Sequence, residues 1–537
     1  MLALRRWLVV VVTLTGLGMW MAQTSSGTVA TSLASFRIQA AAAFSAVTET
    51  GNETLQETPI AGAESLVSVV EEPQRPDFDD EDFSEEDLLE LPLQSIWTKI
   101  ASSRGLATVA RAVCQSLGNR TLPSLFEDLS GRNGSLQEAT DRACGFPCRQ
   151  SSGVWEAVES FSLKERVWLG FMVVQMRNGS ILPGNGTCRP DQPSPRVLTH
   201  LQGARGQGLG NLLQGLHSAL HIAMISGRAF RMKWPRLEDA VRPRFLNWKD
   251  PVGAGCKPQL AELWNFGRFQ DNFRPTLTLA NGSTAMMHFT GNWGMLPPKW
   301  GNLSGIGLPD VAIRDAFPQR GQAPGCLLHF ALGAKESLLK DVDKALGHQP
   351  PGQIALQLRT GDAVKNSISG DGRDKRQVIV NKVWGLDNPK RAATVMAECF
   401  RQLCGHLFAQ PGLAGKLTGP KCVGLFETDN FDARHTIQAL GPQNGATVLR
   451  ASGIDPRHSV QDSATSITLA SMIAMASHEV LLKTAGSIGE IARQLGSGIR
   501  PGGRWFLFET FLKERALRNQ SEDNVARLCD PAFHPAG

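Results

Sequence analysis

Residues 196–234 read RVLTHLQGARGQGLGNLLQGLHSALHIAMISGRAFRMKW, and their rhythm decides the fold class. Arg196–Leu201 has the short apolar pattern of a strand, and a glycine-rich turn follows it. Leu213, Leu216, Leu220, Ala223 and Met224 then fall on one face at helical spacing, and the helix is expected to stop at Gly227. Ala229–Trp234 reads as a second strand. Strand, turn, helix and strand make one βαβ unit, which implies a parallel sheet.

Outward from this unit the alternation resumes near residue 353. QIALQLR (353–359), VGLFE (423–427), ATVLR (446–450), VLLK (480–483) and RWFLFE (504–509) read as strands. ITLASMIAMASHE and IGEIARQLG read as helices between them, while residues 240–345 read as loop-rich. The expected fold is α/β, with two Rossmann-like domains facing each other across a cleft. The first spans 191–345 and the second 346–537, after a mixed helical cap over 96–190.

The N-terminus has a different character. Arg5 and Arg6 precede the uncharged run Trp7–Ala22, which as a helix would reach about 24 Å at ~1.5 Å per residue. Residues 1–22 are read as a signal anchor that leaves the chain lumenal, the alternative being a cleaved signal peptide and secretion. Residues 23–95 read as a disordered stem. Eleven acidic residues between Glu71 and Glu90 face one arginine, and such a run repels itself. The D-x-D pairs Asp77/Asp79 and Asp80/Asp82 fall in this stem and are not expected to hold a catalytic metal. A net charge of +5 without a basic run excludes nucleic acid as an expected partner.

Eight Asn-x-Ser/Thr sequons, at Asn52, Asn119, Asn133, Asn178, Asn185, Asn281, Asn302 and Asn519, agree with a lumenal chain. So do ten cysteines with no C-x-x-C pair and no zinc spacing. Cys144/Cys148 and Cys399/Cys404 are either local pairs or partners of more distant cysteines.

Three places have the residue types for chemistry on a phosphorylated ligand. Gly206, Gly208 and Gly210 form G-x-G-x-G, not the dinucleotide pattern, and no acidic residue ends the next strand. Gly208 and Gly210 admit either close ligand approach or a tight turn of positive φ. Asn211 puts an amide at the mouth of the apolar helix, and His217 and His221 follow one turn apart. Arg359 ends a buried strand, where its planar fork suits phosphate oxygens, and Asp362 follows. Thr484, Gly486 and Ser487 lie between a strand and a helix start, which suits phosphate equally. Alternatively Ser487 caps that helix, with Glu490 closing a capping box.

Order and spacing carry a family resemblance. GLGNLLQGLHSALHIAMISGRAF is similar to the G-x-G-N opening of the fucosyltransferase superfamily, and PGCLLHFAL to a segment of its plant and algal xyloglucan-type branch. LQLRTGD resembles the H-x-R-x-x-D strand end of the α1,2-, α1,6- and protein O-fucosyltransferases, and VGLFETDN their later strand with T-D. SITLASMIAMASHEVLLKTAGSIGEIARQL resembles the closing block. The resemblance spans about 195–510. Gln357 stands where the family usually has His, Arg359 lacks a second adjacent Arg, and Ile488 replaces Phe.

The resemblance implies an inverting, metal-independent glycosyltransferase of GT-B type. It would move fucose from GDP-fucose to a glycan or glycoprotein acceptor, with no cofactor, at the Golgi or endoplasmic reticulum membrane. Arg359 would neutralise the leaving pyrophosphate, Thr484, Gly486 and Ser487 would bind phosphate, and Asp429 would face guanine, ribose or fucose. Gly208, Gly210, Asn211 and His217 would border the acceptor cleft. Asp362 is the first candidate base, with His217 and His221 behind it. Another nucleotide sugar, or a non-catalytic carbohydrate-binding role, are the alternatives.

Overall fold

The computed structural model describes residues 88, 91–117, 124–126, 134–151, 154–158, 160–177, 196–201, 208–249, 261–265, 286–290, 302–319 and 321–359. It also describes 388–409, 422–440, 447–454, 464–484, 486–500 and 503–508. All belong to one compact unit, Asp80–Gly537. The anchor, the stem up to residue 87 and Asp362 lie outside the described residues, and no described helix is long and apolar enough to cross a membrane.

The chain enters through helices α1 (Leu93–Ala101) and α2 (Ser103–Ser116), where the Ser102 hydroxyl accepts the Gly105 N–H at 3.1 Å and caps α2. Helix α3 (Gly134–Cys144), a hairpin of β1 (Cys148–Ser151) and β2 (Val154–Ala157), and helix α4 (Leu163–Arg177) complete this region. Disulfide Cys114–Cys148 ties α2 to the hairpin.

Strand β3 (Val197–Leu201), helix α5 (Leu209–Ser226) and strand β4 (Ala229–Lys233) form the expected βαβ unit, and Gly227 ends the helix with φ 60°. After β5 (Val241–Pro243), strands β6 (Ala261–Asn265) and β7 (Met286–Thr290) extend the parallel sheet to the order β4-β3-β7-β6. A second hairpin, β8 (Asn302–Leu303) with β9 (Leu308–Ala312), leads to helix α6 (Gln322–Ala331), strand β10 (Leu332–Ala334) and helix α7 (Glu336–Ala345).

Among the described residues of 240–345, helix and strand take the place of the expected loops, above all from residue 302 onward. Every residue of α6 is buried, so it shows no amphipathic period, and Pro324-Gly325 read as a break. Gly325 is there because a Cβ would fall 1.8 Å from the Gln494 carbonyl oxygen.

The second sheet contains β11 (Ile354–Leu358), then helix α8 (Pro389–Ala409), β12 (Cys422–Thr428), helix α9 (Phe431–Leu440) and β13 (Thr447–Ala451). Helix α10 (Ala464–Ala476), β14 (Val480–Lys483), helix α11 (Ser487–Leu495) and β15 (Arg504–Leu507) follow. All five strands are parallel in the order β13-β12-β11-β14-β15. Chain order reverses between β11 and β14, the switch point where open α/β sheets leave a crevice at the carboxyl ends of their strands.

Strand β11 is buried on both faces. Ile354, Leu356 and Leu358 pack with Ala393, Met396 and Phe400 of α8, while Ala355 joins the other layer with Met472, Leu481 and Ile491. That second cluster runs on through Leu198, Leu216 and Phe230, so both sheets share one continuous set of buried side chains. Disulfides Cys144–Cys326 and Cys404–Cys422 join α3 to α6 and α8 to β12. Cys399 is bonded to a partner outside the described residues. Neither local pair forms, and the more distant pairings hold.

Candidate functional site

The carboxyl ends of β12, β11 and β14 lie side by side, and each delivers one of the residues singled out in the sequence. Arg359 follows β11 directly, Thr428-Asp429 ends β12, and Thr484 follows β14. The Arg359 side chain is one third exposed, and its Nε lies 4.0 Å from Oδ2 of Asp429. Its backbone is fixed more tightly: the Arg359 N–H donates to Oγ1 of Thr484 at 2.9 Å.

Asn430 holds the neighbouring turn. Its N–H donates to the Thr428 hydroxyl at 3.2 Å, and its side-chain oxygen accepts the Ala433 N–H at 3.1 Å, capping α9. Asp429 is thus set between two anchored residues. Phe431, one residue beyond the cap, is 57% exposed, the one large apolar side chain so exposed among the described residues. The sequence reading did not single it out, and its place next to T-D-N was the available signal.

Gly486 adopts φ 151° and ψ 157°, a conformation essentially reserved for glycine. A Cβ there would lie 3.5 Å from Cδ and 3.8 Å from Nη1 of Arg359. Gly486, not Ser487, is the N-cap of α11, and no side chain caps it. The alternative of a Ser487–Glu490 capping box is not realised. Glu490 turns inward, where Lys483 Nζ lies 3.4 Å from it and Arg493 Nε 3.1 Å. Burial alone would raise the Glu490 pKa, but the hydrogen bonds and charges of Arg493 and Lys483 outweigh it and hold the carboxyl below its ordinary value. Arg493 in turn lies over the Trp505 ring at 4.8 Å.

Helix α5 meets α11 at its own start. Gly208 is the N-cap of α5, again without a side-chain cap, and a Cβ on Gly210 would fall 2.7 Å from the Ser487 backbone. Two helix N-termini without side-chain caps therefore meet beside Arg359. The N–H groups and dipoles of helix N-termini favour an anion. Neither Gly208 nor Gly210 has positive φ, so the tight-turn reading does not apply to them; close helix approach explains Gly210. Asn211 is half-buried in the first turn of α5.

His217 and His221 are enclosed, and their ring nitrogens have no hydrogen-bond partner among the described residues. Burial first, and then the neighbouring His221, pull His217 down to about 3, although Glu490 opposes this; burial pulls His221 to about 4. Both are neutral near pH 7 and are walled off from an incoming acceptor. An apolar groove between Phe400, Ile437 and Leu449 shares no residue with these strand ends. No group of three or more His, Cys, Asp or Glu suited to a metal occurs among the described residues, and Asp77, Asp79, Asp80 and Asp82 lie outside them.

No family model and no curated protein matches the chain. Among solved structures it is similar to a mutant of Arabidopsis thaliana FUT1 in complex with GDP, at 12% identity over 59% of this chain and 71% of that one, with a TM-score of 0.38. It is similar also to the fucosyltransferase NodZ from Bradyrhizobium, at 13% identity over 59% and 96% of the two chains, TM-score 0.34. For NodZ alpha-1,6-fucosyltransferase soaked with GDP-fucose the values are 12%, 56% and 93%, and 0.30.

Proposed function

We propose that this chain is a glycosyltransferase of the fucosyltransferase type that takes GDP-fucose as donor. The observation that carries the reading is the meeting of Arg359, Thr484, Gly486 and the start of α11 at the switch point of a five-stranded parallel sheet. Such a crevice suits a nucleotide diphosphate, with backbone N–H groups and an arginine fork turned to the anion. The motifs that resemble those of the superfamily point to fucose and guanine, which the phosphate logic alone does not.

In this reading two α/β halves form a GT-B-type cleft, and the reaction inverts configuration. The acceptor hydroxyl attacks C1 of fucose from the face opposite GDP. The C1–O bond breaks, its electron pair passes to the β-phosphate oxygen, and the acceptor proton passes to a base, for which Asp362 is the candidate. Arg359 meets the charge that grows on departing GDP, where a pre-aimed donor is most effective. Asp429 faces the nucleoside or sugar, and Gly208, Gly210 and Asn211 border the cleft.

Replacing Arg359 by Ala should lower turnover on the order of 10²–10³-fold, as loss of one such donor does. Arg359→Lys keeps the charge without the fork and should recover little. GDP release and thermal unfolding, measured on all three proteins, check this. An Arg359→Ala protein of near-normal turnover would remove the site as drawn.

The disulfides Cys114–Cys148, Cys144–Cys326 and Cys404–Cys422 suit an oxidising compartment, and Asn302 of the N-L-S sequon is exposed at the start of β8. We place the chain in the secretory pathway, anchored by residues 1–22 with its body in the lumen. Protein from eukaryotic secretory cells should lose apparent mass when N-glycans are removed. Digestion of the body by protease added outside sealed microsomes would contradict this topology.

A further inference from the structure

Thr484 stands where a phosphate ligand is expected, yet its hydroxyl is already engaged twice. Oγ1 accepts the Arg359 N–H at 2.9 Å and donates to Oε1 of Gln357 at 3.2 Å. A hydroxyl has a single hydrogen, and a phosphate oxygen only accepts. With that hydrogen given to Gln357, none is left for phosphate. The backbone repeats the tie, because the Thr484 N–H donates to the Gln357 carbonyl at 3.0 Å. Thr484 is fully buried and Gln357 nearly so.

Gln357 is itself held from the other side. A Cβ on Gly489 would fall 2.8 Å from Oε1 of Gln357, so the first turn of α11 lies directly against the amide. Gln357 is the penultimate residue of β11, and Arg359 follows the strand directly. The chain of contacts thus runs from α11 through the Gln357 amide and the Thr484 hydroxyl to the Arg359 backbone.

We infer that Gln357 is a positioning residue which, through the Thr484 hydroxyl, braces the backbone of Arg359 and so aims its guanidinium, and that Thr484 belongs to this brace instead of contacting phosphate. The inference rests on the reading of Arg359 as the charge that meets departing GDP. It also gives a task to the position where the resembled family has His.

Five forms of the full chain test it: wild type, Gln357→Met, Thr484→Val, the double variant of these two and Thr484→Ser, with melting temperatures to confirm folding. Hydrogen exchange over 354–360, without nucleotide, reads the brace directly. Thr484→Val should speed exchange of the Arg359 amide roughly tenfold or more, Gln357→Met less, and Thr484→Ser should keep it protected. Turnover should fall on the order of 10-fold in Thr484→Val and Gln357→Met, because a displaced charge-stabilising group loses rate even when contacts survive. GDP affinity and KM should stay within about threefold, and the double variant should be no worse than Thr484→Val, since both changes cut one chain of contacts. An unchanged Arg359 amide in Thr484→Val overturns the brace. A tenfold loss of GDP affinity in Thr484→Val, absent in Gln357→Met, would make Thr484 a phosphate ligand and overturn it equally. Wild type that neither binds GDP nor releases it from GDP-fucose would refute the functional reading, and the exchange data would still decide the brace.

Discussion

At Gly210 an added methyl group would fall 2.7 Å from Ser487, whereas at Gly405 it would meet nothing within 4 Å. Both glycines sit inside helices, so the two substitutions share a backbone change and differ in surroundings. Gly405→Ala should stabilise the protein by about 0.5–1 kcal/mol, the entropic gain of alanine in an exposed helix. Gly210→Ala should destabilise by about 1–3 kcal/mol, because two helix backbones must separate, and should lower turnover as α11 shifts. Denaturant unfolding of both variants checks the pair; equal effects would mean that α5 and α11 do not meet as described. At this scale Gly210, Arg359, Asp429 and Thr484, all singled out in the sequence, lie near one another in the structure. The reasons were less visible. The role of Gly210 depends on a residue 277 positions later, and the Thr484 hydroxyl is taken up by a glutamine on another strand.

Among the elements, α10 shows what periodicity misses. Its last turn is closed by Arg500, whose guanidinium donates to the carbonyls of Ala476 at 2.6 Å and Ser477 at 3.3 Å, and also to that of His478. Burial pulls the Arg500 pKa down to about 10, yet it stays charged at any ordinary pH. Charge at a helix C-terminus is favourable, and one guanidinium serves the carbonyls of three buried residues. Arg500→Ala should therefore cost on the order of 3 kcal/mol, and Arg500→Lys, with one compact donor group, should recover only part. Denaturant midpoints of the two variants measure this, and a loss within ~0.5 kcal/mol would place Arg500 among ordinary surface residues. Strands with two buried faces, such as IALQL and VLLK, were legible because the apolar run is bounded at both ends. The cap was not, since backbone carbonyls leave no mark in a sequence. Helix α6 escaped for the converse reason: burial on every side erases the contrast that marks a helix.

Over the whole molecule, burial of histidine sets the response to acid. His200, His217 and His329 are drawn down to about 3, and His221 and His478 to about 4, with burial the first cause in every case. In the unfolded chain each titrates near its ordinary ~6.5. Between these values the unfolded state binds more protons than the folded one, so stability is fully present above pH 6.5 and is lost as pH falls. Each histidine contributes about 1.4 kcal/mol per pH unit across that window, so three acting fully would remove on the order of 4 kcal/mol in one unit. Glu490, held below its ordinary value, adds to the loss only at more acidic pH. Glu427 acts in the opposite sense: burial raises its pKa against the hydrogen bonds of Ser471 and Ser452 and the charge of Arg434. The folded form then takes up that proton first, which offsets at most one histidine. Melting temperature should accordingly fall steeply between pH 6.5 and pH 5. Replacing His221 by Leu removes a ring without a hydrogen-bond partner among the described residues, and should flatten the slope by one proton with little change at pH 7.5. Unfolding followed from pH 7.5 to pH 4.5 on wild type and His221→Leu decides the matter. A flat profile, or equal slopes for the two proteins, would mean that these rings are solvated in the folded chain and that the packing of α5 against α11 is looser than described.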